Sequence, residues 1–268
     1  ESTVTLTSFV IDTAAPTVSS FTTSTSSGSY NQAEEIVITA NTTESVQSGN
    51  TITVTLDTSD TVLLTAASTG TTLVGTYTVG SGDTSAGLTV SSFAIGTVAD
   101  TAGNAMTSTT LPVAGSIFGS KTITIDTAAP TLSEDTVVST PSNDTTPSVV
   151  ISSNEAGTIT SSLGISSTTS GISGDNTITF NALDAGTYTP TVTFTDVSGN
   201  ESTVTLTSFV IDTAAPTVSS FTTSTSSVSY NQAEEIVITA NTTELAQSRN
   251  TITVTLDTSD TLLLNTAT

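Results

Sequence analysis

The chain has 268 residues, 35% hydrophobic and only 4% aromatic, with 24 acidic residues against two basic ones for a formal net charge of −22. It contains no His and no Cys, so Ser/His and Cys/His nucleophiles and histidine or thiolate metal sites are excluded, and an anionic surface repels nucleic acid and anionic lipid while attracting cations. No apolar run approaches the roughly 20 residues that span a bilayer, so membrane insertion is not expected, and any targeting segment is expected outside these residues.

In chain order, ESTVTLTSFVID (1–12) alternates polar with apolar or β-branched residues, the pattern of a strand with one buried face. IDTAAPT (11–17) follows, and its stiff Ala-Ala-Pro, lacking one N–H, suits a connector better than a ladder. Alternation returns in EIVITA (35–40), NTITVTLD (50–57), GTYTVG (75–80), KTITID (121–126), NTITF (176–180) and TYTPTVTFTD (187–196). Turn signals separate these runs: SGSYNQ (27–32), GSGDTSAG (80–87), DTAGN (100–104), SGDN (173–176), LDAGT (183–187) and DVSGN (196–200). No helical period competes, and an all-β protein of short antiparallel strands is expected.

Residues 201–268 repeat residues 1–68 with only eight differences, among them Gly28/Val228, Ser45/Leu245 and Gly49/Arg249. Duplication of so long a unit marks an array rather than one globule. IDTAAPT recurs at 125–131 and 211–217, and taking it as the boundary divides the chain into a long module at 13–126 and a short one at 127–212. Residues 1–12 are then the last strand of another short module and 213–268 the first part of another long one. The chain reads as a window on a longer alternating array.

The phrases FTDVSGNESTVTLTSFVIDTAAPT and VADTAGNAM…KTITIDTAAPT resemble the bacterial immunoglobulin-like repeats of giant secreted surface adhesins, of the biofilm-associated and repeats-in-toxin type. The resemblance implies tandem immunoglobulin-like β-sandwiches placed end to end as an extended rod, an extracellular or cell-surface location, and in several members calcium at the junctions. LDAGTYTPTVTFTD (183–196) also resembles a tyrosine corner, with Tyr188 in the corner position.

Catalysis has little to work with. Glu34 and Glu35, with their copies Glu234 and Glu235, are adjacent on strands and face opposite ways, so they do not flank one bond, and no enzyme is expected. In a sandwich, the loops between its second and third and its sixth and seventh strands lie beside the incoming linker. For the short module those places hold Asp126 in the linker, Glu155, and Asp196 with Asn200; for the long module they hold Asp12, Glu44, and Asp100 with Asn104. The partial copy keeps Asp212 and Glu244. Calcium takes six to eight hard oxygen ligands, and carboxylates from three segments at each junction point to Ca2+. With a Kd on the order of 10⁻⁴ to 10⁻³ M, ~10 mM calcium stabilises the bound state by about 1.4 to 2.7 kcal/mol. The competing explanation for each Asp is a turn cap, since Asx side chains bond their own backbone.

The functional expectation is a stalk, an extender segment of a large extracellular bacterial adhesin whose partners are calcium and neighbouring repeats of the same chain. The main rival is a subunit of a self-assembling extracellular filament or sheath, which pairs with other copies of itself. A carbohydrate-binding module would want exposed aromatics, and the chain has no Trp and four Tyr. Thr-x-Thr runs are ordinary for solvent-facing strands, and Asn41, Asn143, Asn200 and Asn241 sit in glycosylation triplets that this composition produces freely.

Overall fold

The structure, a computed structural model, describes residues 10–113, 118–231, 234–244, 251–258 and 260–265. Residues 1–9, which carry most of the expected first strand, lie outside the described residues. No helix occurs among the described residues. The chain falls into two compact units: one takes residues up to Val138 with Pro147–Asn181 and Thr189–Thr207, the other Ser139–Thr146, Ala182–Tyr188 and residues from Ser208 onward.

The first unit opens with β1 (Val18–Thr22), β2 (Gly28–Tyr30), β3 (Glu35–Val46), β4 (Thr51–Leu56), β5 (Thr61–Thr65), β6 (Gly70–Thr78), β7 (Thr84–Ser85), β8 (Val90–Thr97) and β9 (Ile123–Asp126). Six of these form one sheet in the order β1-β3-β6-β5-β4-β8. A single pairing, Thr65 with Val74, joins β5 to β6. Gly75, beside that pairing, leaves room for β5, since a Cβ there would lie 2.4 Å from the Leu63 carbonyl oxygen. A second sheet, β2-β9-β7, pairs β2 with β9 in parallel, Gly28 opposite Ile123 and Tyr30 opposite Ile125. Residues 27–32 read as a turn from their Ser, Gly and Asn; Gly28–Tyr30 is instead a strand, because β9 supplies partners for its backbone.

Period-two alternation explains the core. Ile36, Ile38 and Ala40 on β3, Ile52, Val54 and Leu56 on β4, and Ile123 and Ile125 on β9 all point inward, and they join Phe21, Leu73 and Phe93 in one buried cluster. Phe21 and Phe93 meet edge to face, with ring centroids 5.8 Å apart.

Further along come β10 (Leu132–Thr136), β11 (Ser148–Ser153), β12 (Gly157–Ser161), β13 (Ser170–Gly171), β14 (Gly174–Thr179), β15 (Gly186–Tyr188), β16 (Thr191–Thr195), β17 (Glu201–Thr205) and β18 (Phe209–Ile211). The first unit includes two sheets from this stretch, β10-β11-β14 and β13-β12-β16-β17, the strand arrangement of an immunoglobulin-like sandwich. Their buried positions alternate along each strand: Val149 and Ile151, Ile178, Ile159, Val192 and Phe194. Gly157 allows β12 to approach β16, because a Cβ there would sit 2.4 Å from the Thr195 carbonyl oxygen.

The second unit contains the two-stranded ribbon β15-β18, in which Tyr188 stacks on Phe209 at 5.7 Å and donates its hydroxyl to the Asp184 carbonyl at 2.9 Å. That bond has the spacing of a tyrosine-corner contact; away from that corner, Tyr30 and Tyr230 donate likewise to the carbonyls of Ser26 and Ser226. The unit continues with β19 (Val218–Thr223), β20 (Ile238–Thr242), β21 (Thr251–Thr255) and β22 (Thr261–Asn265), which pair as β19-β20 and β21-β22.

Candidate metal centres

The loop after β8 is closed by its own sequence. Gly103 adopts φ +95°, which a residue without a Cβ reaches at no steric cost, and Asp100 N–H then donates to the Asn104 carbonyl at 3.1 Å. Asp100 Oδ1 accepts the Asn104 N–H at 2.7 Å, and Oδ2 accepts the Asn104 side-chain amide at 2.7 Å. The same amide also donates to the Asp12 carbonyl at 3.2 Å, which ties the linker to the loop. At the end of β3, Gln47 donates to the Asp100 carbonyl at 2.7 Å, and the hydroxyl of Thr42 donates to the Glu44 carbonyl at 2.6 Å.

These bonds assemble Asp12, Glu44 and Asp100 with carboxylate oxygens within 4.8 Å of one another. Asp12 is exposed, Glu44 half-buried, and Asp100 only 2% exposed. Glu44 Oε2 is buried with no hydrogen-bond partner. Burial, and then the charges of Asp12 and Asp100, push the Glu44 carboxyl above its ordinary value. Burial also disfavours the Asp100 charge, but hydrogen bonds from Asn104, Gly103 and Ala102 together outweigh it and hold that carboxyl below the usual range.

The loop after β16 repeats the design. Gly199 has φ +88°. Asp196 Oδ1 accepts from Ser198 and Asn200 N–H at 2.8 and 2.9 Å, and Oδ2 accepts the Asn200 amide at 2.9 Å. Asn200 reaches the Asp126 carbonyl at 3.0 Å, and Ser153 donates to the Glu155 carbonyl at 2.7 Å. Asp126, Glu155 and Asp196 again bring carboxylate oxygens within 4.8 Å. An open cleft of about 520 Å³, lined by Asn31, Gln32, Thr127 and Asn200 among others, adjoins this group.

All ten residues singled out from the sequence are described. Six carboxylates form the two triplets, and Asn104 and Asn200 enter them as amide donors bracing Asp100 and Asp196. Asp212 and Glu244 keep the local bonds of their copies, Ala214 N–H to Asp212 at 3.0 Å and the Thr242 hydroxyl to the Glu244 carbonyl at 2.5 Å. Among the described residues no third carboxylate joins them. Sequence reasoning missed Thr42, Ser153 and Gln47; the hydroxyl two residues before each Glu was the available signal. It also missed a separate acidic patch, in which Tyr77 donates to Asp83 at 2.5 Å, Asp60 Oδ2 lies 3.4 Å from the same hydroxyl, and Asp57 accepts from Ser85.

The triplets suit a hard cation. Each carboxylate oxygen has two lone pairs, so those that accept one N–H keep acceptor capacity, and carboxylates from three segments with nearby carbonyls are the donor set that calcium takes.

Residues 121–213, which hold the second triplet, match the family model of a bacterial Ig-like domain. No curated protein matches the sequence. Among solved structures, the chain aligns with the fibronectin(III)-like modules of Clostridium thermocellum CbhA over 71% of its own length and 93% of theirs, at 8% identity and a TM-score of 0.30.

Proposed function

We propose that the chain is an extender segment of a large extracellular bacterial surface protein of the adhesin type, and that calcium bound where one repeat hands over to the next stiffens it. The observation that carries the reading is recurrence: the same three-segment carboxylate group is built twice, by the same Asp-x-x-Gly-Asn turn and the same amide brace. Turn capping alone accounts for the Asp and Asn of each loop. It does not account for a Glu brought to the same place from another strand, nor for the buried, unpartnered oxygen of Glu44.

A bacterial Ig-like match supports a structural repeat outside the cytoplasm, and no helix among the described residues is long and apolar enough to cross a membrane. The absence of His and Cys supports a non-catalytic role. Repetition serves length, since stacked units that contact only their neighbours extend without a larger core.

Calorimetric calcium titration of the whole chain, with small-angle scattering in millimolar calcium and then in excess chelator, tests the reading. Two sites, one lost in Asp100→Asn and the other in Asp196→Asn, with a maximum dimension that becomes variable on chelation, are expected. Binding untouched by either substitution overturns it. Particle growth with concentration in either buffer would select a filament subunit instead.

A further inference from the structure

The linker that follows β9 is gripped by the strands before it. Asp126 ends β9 in register with Thr84 of β7. The hydroxyl of Thr127 then donates to the Asp83 carbonyl at 3.1 Å and accepts the Gly82 N–H at 3.2 Å. The turn that supplies both partners is itself fixed: Gly82 adopts φ +87°, and Asp83 Oδ2 accepts the Gly80 N–H at 2.6 Å and the hydroxyl of Tyr77, only 3% exposed, at 2.5 Å. A hydroxyl that donates and accepts at once holds its own rotamer and restrains the backbone that carries it.

The linker is held again at Thr131, whose N–H donates to Asn154 Oδ1 at 2.6 Å and whose carbonyl accepts the Asn154 N–H at 3.3 Å. Between the two grips lie Ala128, Ala129 and Pro130, and both alanines are exposed. The open cleft of about 520 Å³ separates the neighbouring surfaces here, with Asn31 and Gln32 on one side and Gly199 and Glu201 on the other. Side-chain packing across the cleft therefore does not set the angle, and the linker bonds do.

The matching residue after β18 is Thr213. Asp212 N–H donates to the Ser142 carbonyl at 2.8 Å, and Asp212 Oδ1 accepts from Ala214. The Thr213 hydroxyl has no hydrogen-bond partner among the described residues, which include all of 127–213. The next grip comes at Thr217, whose N–H donates to the Thr243 hydroxyl at 3.0 Å, so Thr213 joins Ala214, Ala215 and Pro216 in the free span.

We infer that Thr127 is a latch: with no cation bound it keeps the linker on the long module and confines bending to Ala128 and Ala129, and short-to-long junctions, where Thr213 stands, lack it. Stiffness then alternates along the array as the modules do. This rests on the division of the chain at IDTAAPT and on the linker's hydrogen bonds, not on calcium.

The full chain has no Cys, so Ser92→Cys with Thr205→Cys, both exposed positions, takes a pair of spin labels that report the distance across the long-to-short junction in excess chelator. Thr127→Val removes the hydroxyl and keeps the shape, and it is expected to broaden the distance distribution at least about twofold. Thr127→Ser and Thr213→Val are expected to leave it narrow. A Thr127→Val distribution as narrow as wild type, or a Thr127→Ser one as broad as Thr127→Val, overturns the inference. Should Thr127→Val unfold the long module, nitrogen-15 relaxation of the unsubstituted chain in chelator decides: an order parameter of about 0.85 is expected at the Thr127 amide and one below about 0.6 at Thr213. Equal values at the two amides overturn it. Failure of the calcium reading would show separately, as distributions that do not change when calcium is added.

Discussion

The rings of Phe21 and Phe93 touch edge to face although β1 and β8 occupy opposite ends of the six-strand order. A sheet whose two edges carry contacting side chains has folded over on itself, so Phe21 closes the core. Phe21→Ala is expected to cost about 3 to 5 kcal/mol of stability in denaturant unfolding. A double-mutant cycle with Phe93 should return about 0.5 to 1.5 kcal/mol of coupling.

Gly75 lies within β6, next to the Val74 that pairs with Thr65 of β5. Gly75→Ala places a methyl 2.4 Å from the Leu63 carbonyl and 2.7 Å from the Leu64 side chain, both fixed by the sheet. A loss of about 1 to 3 kcal/mol is expected, against less than about 0.5 kcal/mol for Gly70→Ala, which meets no atom within 4 Å. Thermal unfolding of the two variants checks this.

Glu44→Gln should act in opposite directions with and without calcium. In chelator, the raised folded-state value of Glu44 means that stability falls as pH rises from the ordinary glutamate value through the elevated one. The glutamine variant escapes that loss, so its melting temperature is expected above wild type at neutral pH and equal to it in acid. In calcium the order reverses, with affinity at this site lower by at least about tenfold. Scanning calorimetry in both buffers at two pH values reads all four cases.

Asn200→Ala removes donors from the Asp196 carboxylate and the Asp126 carbonyl together. The expected cost is about 1 to 3 kcal/mol without metal and roughly 10- to 100-fold in calcium affinity. Titration of wild type and variant checks the second figure, and urea unfolding in chelator the first.

Tyr77→Phe tests the other acidic patch. The Tyr77 hydroxyl, more than burial or the Gly80 N–H, bears on Asp83, whose carboxyl lies below its ordinary value. Its contribution is therefore present above the usual aspartate range and lost as pH falls through the depressed value. Tyr77 itself is raised, first by burial and then by its bond to Asp83, so its contribution is complete below the ordinary tyrosine value and fades above it. A loss of roughly 1 to 3 kcal/mol is expected near neutral pH, shrinking toward both extremes, as unfolding across pH would show.

Much of this was legible in the letters. EIVITA, NTITVTLD and KTITID became β3, β4 and β9 because period two fixes which face of a strand meets the core. The two carboxylate groups were legible because Asp, Glu and Asp-x-x-Gly-Asn recur in the same order around a known strand plan. Period two does not name a strand's neighbour, so the Thr65–Val74 pairing and the parallel partner of β2 were not legible. Nor was the role of Asn104 and Asn200: an amide offers an oxygen and a nitrogen, and only its position beside Asp100 or Asp196 selects the nitrogen. Tyr77 and Asp83 meet across a turn whose geometry, not its letters, sets their separation.

The parallel ladder of β2 and β9 has a mechanical consequence. Once β1 has parted from β3, tension along the backbone draws β2 from its N-terminal side and β9 from its C-terminal side. In a parallel pair those pulls slide one strand along the other, so the bonds from Gly28 to Tyr30 are loaded together instead of parting one by one. Such a ladder is loaded in shear, so its three paired positions share the pull at once.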